Sequence, residues 1–361
     1  MTPLKIATAA TLLCSGAQAE LERVYIGTSH SRGIYFADLD AATGSLSTPQ
    51  LAIEANGCGF IAIHPNRKGL YSTGTSAFEI NGNGSLTHLN TQTTEGGGAC
   101  HISIDATGQC AMAAYYGSGS VASFQILKNG SLSEAKSFHE HEGSGADPKR
   151  QTKPHAHSIF MNPENTYAYA PDLGIDKIMI YKLDPAAGTL TPAGAAVIPG
   201  GSMGPRHLKW NSDGSMVYLL NELDLSITTL QPIAGGQLEL VKTLSTLPDD
   251  ADPSDMTCAE IRIHPNGKFI YASTRDLTDQ GRDSISVFSR SEDGFQRLET
   301  VSAEVWIPRN FNIDPTGKWM LVGGKKSSDI AIFKIDPETG AIRFTGTKVP
   351  FEGGPICFEF L

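Results

Sequence analysis

Residues 204–224 read GPRHLKWNSDGSMVYLLNELD and predict a strand, a tight turn and a second strand. Polar residues mark the outer ends of this unit: Arg206-His207 at the start of the first strand and Asn221-Glu222 at the end of the second. In an antiparallel pair joined by a tight turn, the start of the first strand and the end of the second lie at the same edge. We therefore expect Arg206 and Glu222 to lie close together in space.

The same unit recurs along the chain. Each copy has a short apolar strand, a turn of the Pro/Asp-x-Gly-Lys type and an aromatic-rich strand, and a strand of alternating apolar residues follows. Six copies begin at Ile61, His101, His157, Arg206, Ile261 and Phe311. Their spacing of about 40 to 57 residues is typical of propeller blades with about four strands each. The repeat predicts an all-β fold with almost no helix.

A seventh blade is expected from the two ends of the chain. Residues 22–48 would supply its second to fourth strands, and residues 354–360 have the pattern of the missing innermost strand. Pairing the two ends would close the ring and remove a free sheet edge. We therefore predict one closed seven-bladed β-propeller. An array of β-sandwiches is the alternative, but it does not explain the regular repeat.

Composition restricts the partners of this chain. It has 361 residues, of which 40% are hydrophobic, and this is enough for a large core in one domain. The formal charge of −10 and the lack of a Lys/Arg cluster argue against a nucleic-acid partner. The cysteine spacings match neither a zinc site nor a redox pair, so we interpret the cysteines mainly as buried apolar residues.

The first nineteen residues have the pattern of a secretory signal. Lys5 precedes an apolar run over residues 6–14, and Ala17-Gln18-Ala19 has the small residues of a cleavage site. We expect cleavage after Ala19, which leaves a propeller domain over residues 20–361 that is exported to the periplasm or secreted. An unprocessed N-terminus is the alternative. The apolar run is too short to span a membrane, and no membrane partner is expected.

Polar side chains concentrate on one face of the predicted propeller, where first strands start and second strands end. The starts supply His101, His155, His157, Arg206, His207, Glu260 and Arg309. The second-strand ends supply Tyr116, Asp172, Asn221, Glu222, Arg275, Asp276, Lys325 and Lys326. Ordinary turns favour Gly, Asn, Asp and Ser, as in the turns predicted for the opposite face. The polar face therefore predicts a site over the mouth of the central channel.

The chemistry of this face follows from its residue types. Glu222 and His157 are candidate catalytic bases, since a carboxylate or an imidazole can activate water. Arg206 and Arg275 are candidate catalytic clamps, because a guanidinium holds a carboxylate or phosphate bidentately. Two structural alternatives stay open: a plain ion pair between Arg206 and Glu222, and a His157 that only caps the channel.

A metal site is the weaker hypothesis for the same face. His155-x-His157 could bind a metal with Glu222 or Asp172, but the spacing fixes no third ligand. The sequence has no phosphate-binding Gly-rich loop and no nucleophilic serine elbow. We therefore predict no cofactor and no catalytic metal. A calcium or magnesium ion in the channel stays open.

The same segments resemble the lactonase family of seven-bladed β-propellers, which includes bacterial 6-phosphogluconolactonases and fungal carboxy-cis,cis-muconate lactonizing enzyme. The resemblance covers about residues 22–360. Its motifs are Val24-Tyr25-Ile26-Gly27-Thr28, His157-Ser158, Gly204-Pro205-Arg206-His207, Asn221-Glu222-Leu223, residues 263–275 and residues 308–314. The Gly-Pro-Arg-His segment together with Asn-Glu is fairly specific, whereas many propellers share the His-Pro-Asn-Gly-Lys turn.

The resemblance implies lactone-ring chemistry at the channel mouth. Its site positions fall on His157, Arg206, Glu222 and Arg275, with Glu222 or His157 as the base for an attacking water. We expect His101, His155, His207 and Arg309 to contribute to substrate binding. The expected ligand is a small lactone or acidic sugar, and the expected state is a monomer.

Three hypotheses about function stay open. The first is a sugar lactonase of the 6-phosphogluconolactonase type. The second is an exported propeller that binds an acidic ligand or a protein partner without catalysis. The third, a metal- or quinone-dependent dehydrogenase, lacks its usual signatures. Because sugar phosphates are scarce outside the cytoplasm, the predicted export makes an unphosphorylated lactone at least as plausible. An insertion over residues 140–152 could form a loop that alters specificity.

Overall fold

The computed structural model describes residues 21–291 and 294–361. The predicted signal segment 1–19 and its cleavage site lie outside the described residues. The described part forms seven four-stranded antiparallel sheets. A short 3-10 segment at Ala234–Gly236 is the only helix in it, and no helix there is long and apolar enough to cross a membrane. The predicted all-β class is confirmed.

The sheets follow the predicted repeat, and we number them blades 1 to 7 in chain order. Blade 1 contains β1 (Leu21–Thr28), β2 (Gly33–Asp40) and β3 (Gln50–Glu54). Blade 2 contains β4 (Ile61–Ile63), β5 (Gly69–Ser72), β6 (Ser76–Ile80) and β7 (Leu86–Thr91). Blade 3 contains β8 (Ala99–Ile104), β9 (Cys110–Tyr115), β10 (Ser120–Ile126) and β11 (Leu132–Glu140). Blade 4 contains β12 (Phe160–Met161), β13 (Tyr167–Asp172), β14 (Lys177–Asp184) and β15 (Thr189–Val197).

The second half of the chain continues the same order. Blade 5 contains β16 (Pro205–Trp210), β17 (Val217–Asn221), β18 (Ser226–Pro232) and β19 (Leu238–Ser245). Blade 6 contains β20 (Met256–Ile263), β21 (Phe269–Asp276), β22 (Ser284–Ser291) and β23 (Gly294–Ser302). Blade 7 contains β24 (Pro308–Ile313), β25 (Trp319–Gly324), β26 (Asp329–Ile335) and β27 (Ile342–Pro350). The last strand, β28 (Pro355–Phe360), completes blade 1.

The closure of the ring is confirmed. Strand β28 pairs antiparallel with β1, with Phe360 opposite Val24 and Phe358 opposite Ile26. The fourth strand of blade 1 is β3 at Gln50–Glu54, which lies beyond the predicted boundary at residue 48. A turn explains this difference: Asp40 accepts hydrogen bonds from the backbone of Thr43 and Gly44, and the chain then crosses to β3.

A repeated tyrosine hydrogen bond joins neighbouring blades. A tyrosine hydroxyl from the second strand of one blade donates to a glycine carbonyl in the last hairpin of the next, at about 3 Å. The pairs are Tyr25 with Gly84, Tyr71 with Gly130, Tyr169 with Gly236, and Tyr271 with Gly340. Each of these glycines has a positive φ, which a hairpin turn needs. The repeat therefore encodes contacts between blades as well as the blades themselves.

Apart from the short strand β12, the innermost strands of successive blades pack against one another around the central channel, including β28 with β4 across the chain ends. Apolar clusters fill the spaces between the blade faces, as in the cluster of Phe358, Leu321 and Ile332. In blade 4 the innermost strand is short, and the preceding residues add one isolated bridge between Ala156 and Asp172. The segment that carries His157 is also held by the neighbouring blades, since Ser158 Oγ donates to the Arg206 carbonyl at 2.7 Å and the Cys100 thiol donates to the His157 carbonyl at 3.1 Å.

Candidate active site at the channel mouth

Bulges place the side chains that surround the channel mouth. The pairing between the first two strands has one extra residue on the first strand in five blades, at Ile356, Cys100, Arg206, the Ala259-Glu260 pair and Arg309. An extra residue of this kind interrupts the alternation of a strand and redirects its side chain. This explains why the neighbours Arg206 and His207 both line the same channel cavity.

Glu222 is the centre of the charged cluster at the mouth. Its carboxylate is 2.8 Å from Arg206 Nε, 2.8 Å from Arg150 Nη2 and 3.2 Å from Arg275 Nη2. The residue is only 4% exposed. Burial by itself raises the pKa of Glu222, but the charges of the three guanidinium groups outweigh burial and lower this pKa below its usual value. Glu222 is therefore an ionised carboxylate at neutral pH.

His157 lies beside this carboxylate. Its Nε2 is 3.9 Å from Glu222 Oε2, which is beyond hydrogen-bond distance, and the residue is 2% exposed. Burial, followed by the positive charge of Arg206, lowers the pKa of His157 well below that of an ordinary histidine. The imidazole is therefore neutral at neutral pH, and a neutral imidazole has a free lone pair that can accept a proton.

The two buried arginines are held by backbone carbonyls as well as by Glu222. The Arg206 guanidinium donates to the carbonyl of Ala259, and Arg275 Nη2 donates to the carbonyl of Cys258 at 2.7 Å. Arg275 Nε is buried and has no hydrogen-bond partner in the described part of the chain. A buried donor without a partner is unfavourable, so an acceptor that reaches this N–H would be bound favourably.

A cleft of about 280 Å³ opens above the cluster. It is lined by Tyr116, Arg150, His157, Glu222, Thr257, Arg275, Leu277 and Arg309. Three guanidinium groups and one carboxylate leave this lining with a surplus of two positive charges. Through Arg309 the cleft adjoins a further groove of about 430 Å³ that contains Lys325. The mouth therefore has the shape and the charge to bind a small anionic molecule.

The structure thus brings together five of the predicted site residues, namely His157, Arg206, Glu222, Arg275 and Arg309. His101 and His207 lie deeper in the channel, where the His101 ring packs between Phe60 and Phe160 at centroid distances of 4.6 and 4.4 Å. His207 Nδ1 is 3.2 Å from Glu260. The predicted roles of these residues in catalysis and binding stay predictions.

His155 lies outside the cleft and supports one of its walls. Its ring stacks on Tyr116 at a centroid distance of 4.3 Å, and its Nδ1 is 2.7 Å from the Tyr116 carbonyl oxygen. This contact orients the Tyr116 side chain, whose hydroxyl accepts a hydrogen bond from Arg150. His155 therefore reaches the site through Tyr116, and its predicted part in substrate binding stays a prediction.

The sequence interpretation missed Arg150. The sequence indicates a loop over residues 140–152 that alters specificity, but the spacing gives no reason to select this residue. Its signal was weak, since it is one of several charged residues in a segment without strands. Only the folded loop shows that Arg150 reaches Glu222, 72 positions away.

The described residues contain no group of three or more His, Cys, Asp or Glu side chains arranged to hold a metal ion. Asp172, considered above as a ligand beside His155 and His157, is fully buried and contacts His141 Nδ1 at 2.6 Å instead. The described cysteines, Cys58, Cys100, Cys110, Cys258 and Cys357, are all free thiols. Burial raises the pKa of the Cys100 thiol at the mouth to about 11, so this thiol is a poor nucleophile.

Comparison with known proteins agrees with this architecture. A family model described as "Lactonase, 7-bladed beta-propeller" matches residues 23–360. The chain belongs to the lactonase family of seven-bladed β-propellers. This lactonase-family chain is 34% identical to a 6-phosphogluconolactonase of Bacillus subtilis over 93% of its own length and 97% of the relative's length.

Two further proteins extend the comparison. A 6-phosphogluconolactonase of Serratia proteamaculans is 32% identical, with 94% of this chain and 98% of the relative covered. The solved structure of a periplasmic gluconolactonase of Pseudomonas aeruginosa superposes with a TM-score of 0.85 at 25% identity, over 95% of this chain and 99% of that one. The lactonase-family chain is therefore similar to these three proteins over nearly their whole length.

Proposed function

We propose that this chain is a lactonase that hydrolyses a sugar lactone in the cleft at the channel mouth. The observation that carries the proposal is the combination found there: an ionised Glu222, a neutral His157 and a surplus of guanidinium groups around one small cleft. The names of the relatives, 6-phosphogluconolactonase and gluconolactonase, support the same substrate class.

Hydrolysis adds one water molecule across the ester bond of the ring. The water oxygen bonds to the carbonyl carbon, the base takes a proton, and the carbonyl oxygen becomes an oxyanion. The bond between that carbon and the ring oxygen then breaks, and the released oxygen is protonated, which leaves a hydroxy acid. The site must therefore supply a base, an acid for the leaving oxygen and cations for the oxyanion.

His157 is the better candidate for the base. It is neutral, and after taking the water proton it can return that proton to the leaving ring oxygen. Glu222 is a weaker base, because the arginines that hold it lower its pKa. We assign to Glu222 the stabilisation of the imidazolium that forms 3.9 Å away and the positioning of the arginines.

The oxyanion is assigned to the arginines. Arg275 has an unpaired buried Nε, and Arg309 lines the same cleft, so both can donate to the carbonyl oxygen as its charge develops. Arg206 is already engaged with Glu222 and Ala259, and we assign it the orientation of the carboxylate. Cations fixed in a buried cleft stabilise a developing charge more strongly than water does.

We also propose that the protein acts outside the cytoplasm after removal of residues 1–19. The basic start, the apolar run and the Ala-x-Ala site support this, as does the likeness to a protein named periplasmic gluconolactonase. Expression of the full chain in a bacterial host, followed by fractionation and mass measurement, tests the proposal. We expect a periplasmic product that begins at Glu20, and a cytoplasmic product that keeps the leader would contradict it.

The activity itself is tested by pH-stat titration of the mature protein with 6-phosphoglucono-1,5-lactone, glucono-1,5-lactone and a muconolactone. We expect turnover above spontaneous ring opening with a sugar lactone, and its loss in the Arg275→Met variant. A folded protein that opens none of the three would favour the alternative of a binding propeller without catalysis. In a binding propeller without catalysis, the pairing of Glu222 with three arginines would serve only to hold those arginines in place for a ligand.

A further inference from the structure

The loop between β11 and β12 carries Arg150 over the channel mouth. The loop is fastened at both ends to one buried carboxylate, that of Asp172. Asp172 contacts His141 Nδ1 at 2.6 Å at the start of the loop and accepts a hydrogen bond from the backbone N–H of His155 at 2.7 Å near its end. Both ends of the loop are thus fixed to the end of β13.

The middle of the loop is fixed as well. Gln151 is fully buried, and its amide donates to the Leu173 carbonyl at 2.8 Å and to the Asp176 carboxylate at 2.7 Å. Arg150 directly precedes this anchor, so its backbone position is well defined. Its Nη2 reaches Glu222 at 2.8 Å and the Tyr116 hydroxyl at 3.1 Å. The loop therefore aims a cation into the cleft.

Arg150 differs from the other two arginines on Glu222 in exposure. Its side chain is 36% exposed, whereas those of Arg206 and Arg275 are 2% and 8% exposed. In the described part of the chain only Nη2 of the Arg150 side chain makes hydrogen bonds. A guanidinium has five N–H donors, so the Nε and Nη1 donors remain for a ligand.

Glu222 does not need Arg150 for its charge to be balanced, since Arg206 and Arg275 already lie within 3.2 Å. Arg150 supplies one of the two surplus positive charges of the cleft lining. A surplus of fixed, partly exposed cations stabilises a bound anion. An uncharged lactone would engage Arg275 and Arg309 through its carbonyl oxygen and would leave the free donors of Arg150 unpaired.

We propose that Arg150 is a specificity-determining residue that binds an oxyanion group, phosphate or carboxylate, carried by the substrate outside its lactone ring. The proposal rests on the proposed lactonase function and adds the class of substrate. When the anion binds, the free donors of Arg150 engage it, and Glu222 keeps Arg206 and Arg275.

The test compares three lactones with the wild type and the Arg150→Met, Arg150→Lys and Lys149→Met variants. Glucono-1,5-lactone is uncharged, 6-phosphoglucono-1,5-lactone carries a phosphate, and glucaro-1,4-lactone carries a carboxylate. Lys149 is exposed on the same loop, so Lys149→Met makes the same change of charge at a neighbouring position. The readout is the ratio of kcat/KM for each charged lactone to that for the uncharged one.

We expect Arg150→Met to lower this ratio about 10- to 100-fold, the effect of losing a charge-assisted hydrogen bond. Arg150→Lys should retain part of the preference for charged lactones, because an ammonium group keeps the charge but not the planar fork. Lys149→Met should retain the whole preference. The charged lactone with the larger loss identifies the anion. An unchanged ratio in Arg150→Met, or a wild type that prefers the uncharged lactone, would overturn the proposal while the lactonase function stands.

A binding measurement separates the two proposals if no lactone is opened. Calorimetry with 6-phosphogluconate, glucarate and gluconate compares two ligands that carry an anion besides the C1 carboxylate with one that carries only that carboxylate. Selective binding of 6-phosphogluconate or glucarate that is lost in Arg150→Met would support the role of Arg150 without lactonase activity. Equal binding of all three acids would reject that role.

Discussion

The guanidinium of Arg206 and the carboxylate of Glu222 form a buried ion pair across the first two strands of blade 5, with Nε and Oε2 2.8 Å apart. The hairpin encoded by residues 204–224 creates this contact, because it brings its two ends to the same edge. The ion pair is part of a larger cluster, since Glu222 also holds Arg275 and Arg150. Glu222 therefore balances several cations that would otherwise repel one another.

Replacement of this carboxylate should affect both stability and activity. In Glu222→Gln the buried guanidinium groups lose their counter-charge, and we expect the free energy of unfolding to fall by about 3 to 5 kcal/mol. We expect kcat/KM for the lactone substrate to fall about 100-fold or more. Urea unfolding and pH-stat titration measure the two effects. Glu142→Gln, at an exposed position of the loop, is the matched control, and equal stability of the two variants would contradict this account.

The pH dependence of activity should report on His157. Its pKa is well below the ordinary value of about 6.5, so the base stays deprotonated as the pH falls from 8 to 6.5. We expect kcat/KM, corrected for spontaneous opening, to be flat over this range and to decline only at lower pH. His157→Gln should lose about 100-fold in kcat/KM and the acid limb with it. An acid limb centred at pH 6.5 or above would count against His157 as the base, and exposed His88→Gln is the control.

Much of the fold was predictable because every blade of the propeller repeats the same sequence pattern. Each blade needs apolar strands, Gly- or Asn-rich turns and an aromatic second strand, and all of these are visible in a linear sequence. The closure of blade 1 was predictable for the same reason, since residues 354–360 carry the pattern missing from the N-terminal blade. The start of β3 at Gln50 was not, because the preceding turn depends on hydrogen bonds made by Asp40.

The site was predictable only as far as strand ends determine it. The positions of the strand ends predict that one face of the propeller carries His157, Arg206, Glu222 and Arg275. They do not predict that His101 packs against Phe60 and Phe160 inside the channel. The bulges that redirect residues such as Arg206 leave no clear trace in the residue pattern. Arg150 was missed because its position depends on a buried network of loop anchors, which no periodicity encodes.

The anchor at Asp172 can be tested separately. Asp172→Asn removes the charge that holds His141 and weakens the attachment of both loop ends. We expect the free energy of unfolding to fall by about 1 to 3 kcal/mol. We also expect the preference for charged lactones to decrease, because the loop would no longer hold Arg150 over the cleft. Differential scanning calorimetry and the ratio of kcat/KM values measure these effects. Asp250→Asn, at an exposed position, is the control, and an unchanged preference would show that Asp172 does not position Arg150.

Buried histidines should make the protein sensitive to acid. Burial, opposed in part by Glu260, lowers the pKa of His207 to about 4, whereas an unfolded histidine has a pKa of about 6.5. The unfolded chain therefore takes up a proton first, so this stabilisation is complete above pH 6.5 and is lost as the pH falls towards 4. At about 1.4 kcal/mol per pKa unit, His207 alone accounts for roughly 3 kcal/mol.

Urea unfolding at pH 7 and at pH 4 measures this loss. We expect His207→Gln to lose less stability than the wild type between the two values, by an amount that approaches the contribution of His207. The exposed His30→Gln variant should behave like the wild type. The same loss of stability in wild type and His207→Gln would mean that His207 is not the buried neutral group described above.

Closure of the ring predicts where the fold is most vulnerable. Phe358 on β28 is fully buried in the apolar cluster between blades 7 and 1, which the two ends of the chain hold together. Phe358→Ala should lower the free energy of unfolding by about 3 to 5 kcal/mol, the usual cost of truncating a buried phenylalanine. Phe344→Ala removes the same atoms from β27, where the side chain is only partly buried and closes no ring, and should cost clearly less. Chemical denaturation of both variants decides the point, since equal losses would show that the seam between the chain ends contributes no more than an ordinary outer strand.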